Sequence, residues 1–237
     1  MDIQTKELDV TVEDINVVVI GDFNPRIFHP MWFAHYGLLR VTEAEEAKIE
    51  ILHQDVSAFA ISWLTVQVLR DRFTVGIKAD VYQSHLNDLV QGIFQLLSHT
   101  PVRQLGINVH FRLRFRSEQD WHNFGHFLAP KSPWKDVVSQ PGLRGLQMQG
   151  SREDERPGLL LVSLQPDLGK RGDTIIQVND HYEMPKAKDK QRGMSEGAVW
   201  AVEVLRENYN LSIERARDIV KYLTRNFLAA KTVDNGG

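Results

Sequence analysis

Residues 106–116 read GINVHFRLRFR, and this stretch indicates the fold class more clearly than any other part of the chain. Apolar and polar residues alternate along it without interruption. Consecutive side chains of a strand point to opposite faces of a sheet, so the alternation predicts a strand that is buried on one face only. Such a strand is typical of an antiparallel sheet that carries helices on one side.

The elements on either side of this strand have clear periods as well. Ser117 and the three residues after it fit a helix cap, and aromatic residues follow at helical spacing. Upstream, Ser84 fits the start of a helix whose apolar residues recur every three or four positions until Pro101. Residues 59–68 and 73–79 are two β-branched and aromatic runs around a short polar turn, which predicts a hairpin.

The rest of the chain repeats this alternation of strands and helices. We predict a strand over residues 143–148, a hairpin from residues 158–164 and 174–178, and two helices that open at Ser195 and Ser212. Near the start, we predict a strand over 15–20, a short helix over 28–39 and a strand near Ile49.

Set side by side, the two halves have the same order of elements. We therefore predict an α+β fold with two similar β-α-β-β-β-α halves, residues 1–101 and 102–237, whose antiparallel sheets are covered by helices. We expect the halves to merge into one globular body. The match lies in the pattern and involves little residue identity, so an internal duplication and a chance likeness both stay open.

Composition excludes several classes of protein. The chain has 237 residues, 42% of them hydrophobic and 25% charged, which excludes disordered and collagen-like classes. A net charge of −3 argues against a nucleic-acid or membrane coat. Cysteine is absent, so disulfides and thiolate chemistry are excluded. With neither a signal peptide nor an apolar membrane span in the sequence, we expect a cytoplasmic protein.

The loop after the VVVI strand is the first candidate site. Its polar and aromatic side chains lie close together in sequence, and fixed loops at strand ends often hold ligands. An alternative interpretation is a helix start, with an asparagine cap and a proline in the first turn. The candidate ligand-binding residues here are Asp22, Asn24, Arg26, His29 and Trp32.

The strand that ends in QVNDHYE is the second candidate. Alternation places Asn179, His181 and Glu183 on one side, where they could bind a cation or supply a base. Asn and Asp also end strands simply because they favour turns, and that interpretation is the more common one.

Arginines 112, 114 and 116 share one face of the central strand and form a positive stripe. Such a stripe could bind phosphate, which makes Arg112, Arg114 and Arg116 candidates for nucleic-acid binding. The aromatic residues lie on the opposite face, so they cannot stack bases beside the arginines. We favour pairing with acids of a neighbouring strand.

His122 and His126 are four residues apart on a predicted helix, so both rings could bind one metal ion. Asn123 stands where a metalloprotease has glutamate. A third ligand would have to come from Asp120, His110 or Glu183. The simpler interpretation is two exposed histidines beside the aromatic face of the helix.

Three segments resemble a sporadically distributed group of uncharacterised bacterial proteins of this size. The shared motifs are a loop of the FNP…HPxW type, a strand of the LGIN type and a strand end VNDHYE, which here lie within residues 21–39, 103–115 and 174–183. The resemblance implies the same fold and a bacterial origin, without a reaction type. The sporadic distribution implies a role in a defence or mobile-element system.

No nucleotide-binding, hydrolase or metalloprotease motif occurs in the sequence. We therefore expect a protein with no catalytic residue and no cofactor, which acts as an interaction or assembly subunit. The expected partner is a second copy in a homodimer, or another protein subunit. The apolar seam of the last predicted helix, residues 212–227, favours this, although the seam could also cover the chain's own sheet.

Two other functions stay open. One is an enzyme that depends on a small ligand or a metal and uses Asp22, His29, His122, His126 or His181. The other is a nucleic-acid binder that uses the arginine strand.

Overall fold

The computed structural model describes residues 3–152, 154, 156–185 and 196–234, and these form ten β-strands and five α-helices. The strands are β1 (Ile3–Gln4), β2 (Leu8–Gly21), β3 (Lys48–Leu52), β4 (Val56–Ala60), β5 (Leu64–Leu69), β6 (Arg72–Ile77), β7 (Val102–Phe115), β8 (Leu146–Ser151), β9 (Gly158–Pro166) and β10 (Asp173–Glu183). The helices are α1 (Pro30–His35), α2 (Val41–Glu45), α3 (Gln83–Leu96), α4 (Glu118–Leu128) and α5 (Gly197–Asp234).

All strands belong to one antiparallel sheet in the order β3-β4-β5-β6-β2-β7-β10-β9-β8, with β1 paired to β2 beside this path. The predicted α+β class is confirmed. In each half the first long strand lies at the centre of the sheet and the last strand pairs with it. The orders β2-β6-β5-β4 and β7-β10-β9-β8 therefore match. The first half carries β1 and β3 in addition.

The central strand β7 determines which face of the sheet is buried. Its odd-numbered side chains, from Leu105 to Phe115, are buried. Helix α5 contacts β7 and β10 on this face, and α3 contacts β6 and α5. We call this the helix-covered face. The even-numbered side chains of β7 lie on the other face, which we call the open face. The alternation in residues 106–116 therefore predicted the division correctly.

Two predicted elements of the first half have different bounds in the structure. Residues 59–68, predicted as one strand, belong to β4 and β5, and a turn at residues 61–63 separates the two strands. That turn contains neither glycine nor proline, the residues that most often mark a turn in a sequence. The predicted helix 28–39 is shorter, because Pro30 lies in its first turn and Gly37 follows it with φ of 68°.

The C-terminal region differs more. We predicted two helices, but α5 is one helix of 38 residues. Ser195 lies outside the described residues. Ser212 lies inside α5, and its hydroxyl bonds to a buried carboxylate instead of capping a helix. Four residues of the predicted seam are buried within the chain: Ile213, Ala216, Val220 and Phe227. The fifth, Leu223, is partly exposed.

Helix caps were predicted with mixed success. Ser117 does cap α4, because its Oγ accepts a hydrogen bond from the backbone N–H of Asp120 at 3.0 Å. Ser84 does not cap α3, which begins one residue earlier. Among the described helices, none is both long and apolar enough to cross a membrane.

Candidate functional site

Two of the candidate ligand-binding residues in the loop after β2 start short helical segments. Asn24 accepts a hydrogen bond from the backbone N–H of Arg26 at 3.3 Å and starts a 3-10 turn, Pro25–Ile27. Nδ1 of His29 accepts one from the backbone N–H of Met31 at 3.2 Å and starts α1. Both side chains therefore act as caps, as the alternative interpretation of this loop proposed for Asn24.

The other three candidates of this loop contact different parts of the molecule. Asp22 accepts a hydrogen bond from Arg103 at 2.8 Å, and Arg26 donates one to Gln54 at 3.1 Å. The ring of Trp32 lies against aromatic neighbours: Phe28, Phe33 and Tyr36. The three side chains therefore have different partners.

The strand end predicted as a site lies on the open face. Asn179 is directly opposite Asn108 of β7, and its Oδ1 is buried with no hydrogen-bonding partner among the described residues. Burial lowers the pKa of His181, so its ring is neutral at neutral pH. The backbone after Glu183 bonds to Arg103, which also holds Asp22. The two predicted sites therefore share one end of the sheet, with β7 between them.

The arginines of β7 are paired with acids. Arg112 donates hydrogen bonds to Glu13 at 2.8 Å, to Asp167 at 2.5 Å and to Asp173 at 3.0 Å. Arg116 is 2.8 Å from Asp9, and Arg114 is 3.5 Å from Asp173. The stripe therefore carries local counter-charges, which weakens its attraction for phosphate.

His122 and His126 lie on α4 as predicted. His122 Nε2 is 3.4 Å from Glu118, and burial together with nearby Lys131 lowers the pKa of His126. Of the proposed third ligands, Asp120 is bound to Lys231 at 2.6 Å. Within the described part of the chain, no group of three His, Asp or Glu residues is placed to hold a metal ion.

A polar network that the sequence did not reveal lies at the centre of the open face. Asp14 of β2 is 2.8 Å from Nδ1 of His110 and accepts a hydrogen bond from Asn16 at 2.9 Å. Asn108 donates to Asn16 at 2.9 Å and accepts from Gln177 at 3.3 Å. Strand register causes this grouping, since β2, β7 and β10 place these residues side by side.

The network pairs its histidine with a carboxylate, and this pairing shifts both pKa values. Burial lowers the pKa of His110, but its hydrogen bond to Asp14 and the charge of that carboxylate outweigh burial and raise it. The same pairing lowers the pKa of Asp14 in spite of burial. Gln177, which lies opposite His110 on β10, raises the pKa of His110 to a smaller extent. Because Asp14 already occupies Nδ1, that nitrogen is not available to activate a substrate.

A second cluster lies beneath α5 on the helix-covered face. Asp180, which is 1% exposed, accepts hydrogen bonds from Ser212 at 2.7 Å, Tyr182 at 3.2 Å and Arg215 at 2.5 Å. Arg152 also binds this carboxylate and stacks on the Tyr182 ring, 3.8 Å from its centroid. Burial and the charge of Asp180 raise the pKa of Tyr182. This cluster joins α5 to β10.

The two edges of the sheet differ. β3 carries two charged residues, Lys48 and Glu50, and its register against β4 shifts between Ile49 and Ile51. β8 pairs with β9 in uninterrupted register, from Leu146 opposite Leu164 to Ser151 opposite Leu159. It has no charged residue and no proline, and the Met148 side chain is 59% exposed. On its outer side, β8 has no strand partner among the described residues.

Comparison with known proteins finds no matching family model and no matching curated protein. Any functional proposal therefore rests on the geometry of the described residues.

Sequence reasoning missed the roles of Asp14 and Asp180. It predicted a strand over residues 143–148 and expected exposed sheet edges, but it did not identify β8 as one of them. Alternation could have separated Asp180 from its neighbours, because it leaves Asp180 and Tyr182 together on the buried side of β10. The Asp14–His110 pair depends on the register of two strands 96 positions apart, which a single sequence does not define.

Proposed function

We propose that this protein is a non-catalytic assembly subunit that pairs with a second copy of itself through the edge strand β8. The observation that supports this proposal most directly is the contrast between the two edges of the sheet. Unpaired edge strands template the addition of further strands, and proteins protect them with charges, prolines and bulges. β3 has charges and a bulge, whereas β8 has a regular, uncharged edge.

The sequence of β8 suits a two-fold antiparallel contact with itself. If two copies pair around Met148, Gln147 of one copy lies opposite Gln149 of the other, and the two methionine side chains meet at the axis. Opposed glutamines can exchange amide hydrogen bonds. Such pairing extends the sheet across the axis and is the closed two-fold form that most homo-oligomers adopt.

The polar clusters support a role without catalysis. His110 is paired with Asp14, and Asp180 is buried beneath α5. Both clusters use their charges to bind neighbouring strands and helices. A nucleic-acid function draws less support, since acids neutralise Arg112.

The experiment is a double substitution on the edge, Gln147→Lys with Gln149→Lys, measured by light scattering at micromolar concentrations. Two lysines on each copy would face the lysines of the other copy, so we expect the parent to show about twice the 27.2 kDa chain mass and the variant to show one chain mass. The matched control, Glu50→Lys on β3, adds a lysine to the other edge and should stay dimeric.

Two results contradict the proposal. A parent protein with the mass of one chain across this concentration range would show that the β8 edge does not pair two copies. A double variant that keeps the dimeric mass would place the contact elsewhere on the molecule.

A further inference from the structure

A surface cleft of about 620 Å³ lies where α2, the turn between β4 and β5, and the start of α3 meet. This volume is within the range of sites for small molecules. None of the candidate residues predicted from the sequence lines it, and it is separate from β8. The groups that matter for its chemistry are Arg40, Glu43, Trp63, Tyr82, His85 and Asp88.

Aromatic rings form one wall of the cleft. Trp63 and Tyr82 are stacked, with centroids 5.4 Å apart and planes 25° apart. The ring of His85 lies edge-on to both, at 6.2 Å from Trp63 and 6.0 Å from Tyr82. These residues come from two separate segments, and the faces of such rings carry partial negative charge.

Hydrogen bonds hold this wall in place. Nε1 of Trp63 donates to Glu43 Oε1 at 3.0 Å, and Arg40 donates to the same oxygen at 2.8 Å. The hydrogen bond from Arg40 and, to a smaller extent, that from Trp63 lower the pKa of Glu43 to about 2. The carboxylate is therefore ionised at neutral pH and holds the indole ring by this hydrogen bond.

The charges around the cleft favour a cation. Glu43 and Asp88 contribute two negative charges, and Arg40 contributes one positive charge that its pairing with Glu43 already offsets. Asp88 lies on the exposed side of α3, where its carboxylate remains to attract a ligand. An anionic ligand would meet this carboxylate and the electron-rich ring faces, both of which repel it.

We propose that this cleft binds a compact organic cation, of which the quaternary ammonium group is the best match. Such a group sits on aromatic faces by cation–π attraction and keeps no N–H donor that would need a partner. Such a group needs only one ring face and can therefore bind while Trp63 and Tyr82 stay stacked. Asp88 supplies the long-range attraction.

Choline is a suitable probe, and 3,3-dimethyl-1-butanol is its neutral counterpart of almost the same shape. We expect saturable binding of choline in the millimolar range by ligand-observed NMR, since a few contacts of this kind give weak affinity. The neutral alcohol should give no saturable signal at the same concentrations. Equal binding of both compounds would overturn the proposal, as would the absence of saturable choline binding.

Protein variants locate the site. Trp63→Leu and Asp88→Asn should each weaken choline binding about fivefold or more. Asp136→Asn, which removes an exposed carboxylate in the other half of the chain, should leave it unchanged. If Trp63→Leu fails to fold, Tyr82→Leu and Asp88→Asn decide the question. Unchanged affinity in the folded cleft variants would overturn the assignment of the site.

Discussion

Substitution of Asp180 by alanine should destabilise the protein more than any substitution of a surface acid. The Asp180 carboxylate is bound to the side chains of Arg152 and Arg215 beneath α5. The side chain of Arg152 is only 2% exposed, whereas that of Arg215 is 28% exposed. Without Asp180, Arg215 can turn towards water, but Arg152 remains as a buried charge.

The magnitude follows from this difference in burial. Removal of one partner of a buried ion pair costs about 3–5 kcal/mol, because the remaining charge is left without compensation. Asp154 still bonds to Arg152, which should keep the loss near the lower end of that range. Loss of the hydrogen bonds from Ser212 and Tyr182 adds a cost, since both hydroxyls are buried.

The assay is urea unfolding at neutral pH, with the free energy of unfolding extrapolated to water. The matched control is Asp9→Ala, which breaks the pair with Arg116, whose side chain is 54% exposed. Pairs of that kind contribute about 1 kcal/mol or less. A loss below about 1 kcal/mol in Asp180→Ala would refute the reasoning, since it would mean that Arg152 is not held as a buried charge.

Two further predictions concern the open face and the C-terminal helix. The pKa of His110 is raised on folding, so its stabilising contribution is complete below the ordinary value of 6.5 and is lost as pH rises through the folded value. The pKa of Asp14 is lowered, so its stabilising contribution is present above 3.8 and is lost as pH falls through the folded value. Asp14→Asn should therefore reduce the dependence of the free energy of unfolding on pH in both ranges, as measured by urea unfolding at a series of pH values. Phe227→Ala should lower the free energy of unfolding by about 3–5 kcal/mol without a change in oligomeric mass, because Phe227 packs against Phe115 and Phe124 of its own chain. Dissociation of a dimer in this variant would contradict that placement.

Local periodicity predicted the elements and faces that depend on neighbouring residues. The alternation of residues 106–116 identified β7 and both of its faces, and the cap at Ser117 was placed correctly. The same rule put Asn179 and His181 on one side of β10. Each of these features is determined within about ten residues, so a single sequence contains enough information to predict it.

Features that depend on distant partners could not be predicted in this way. Ser212 resembles a helix cap by residue type, but Asp180 lies 32 positions away and takes its hydrogen bond inside a continuous helix. The cleft at Trp63 depends on Tyr82 and Glu43, which come from other elements. In both cases tertiary packing decides the role of a side chain whose local pattern indicates something else.

The edges of the sheet connect the fold to the proposed assembly. Ten strands in one open antiparallel sheet leave two ends, and closure into a barrel, which would remove them, does not occur in the described chain. A monomer would need protection at both ends. The bulge and charges of β3 provide it at one end, while β8 pairs regularly with β9 and carries only polar and apolar groups. Protection of β3 without comparable protection of β8 is expected when the second edge is covered by a partner strand.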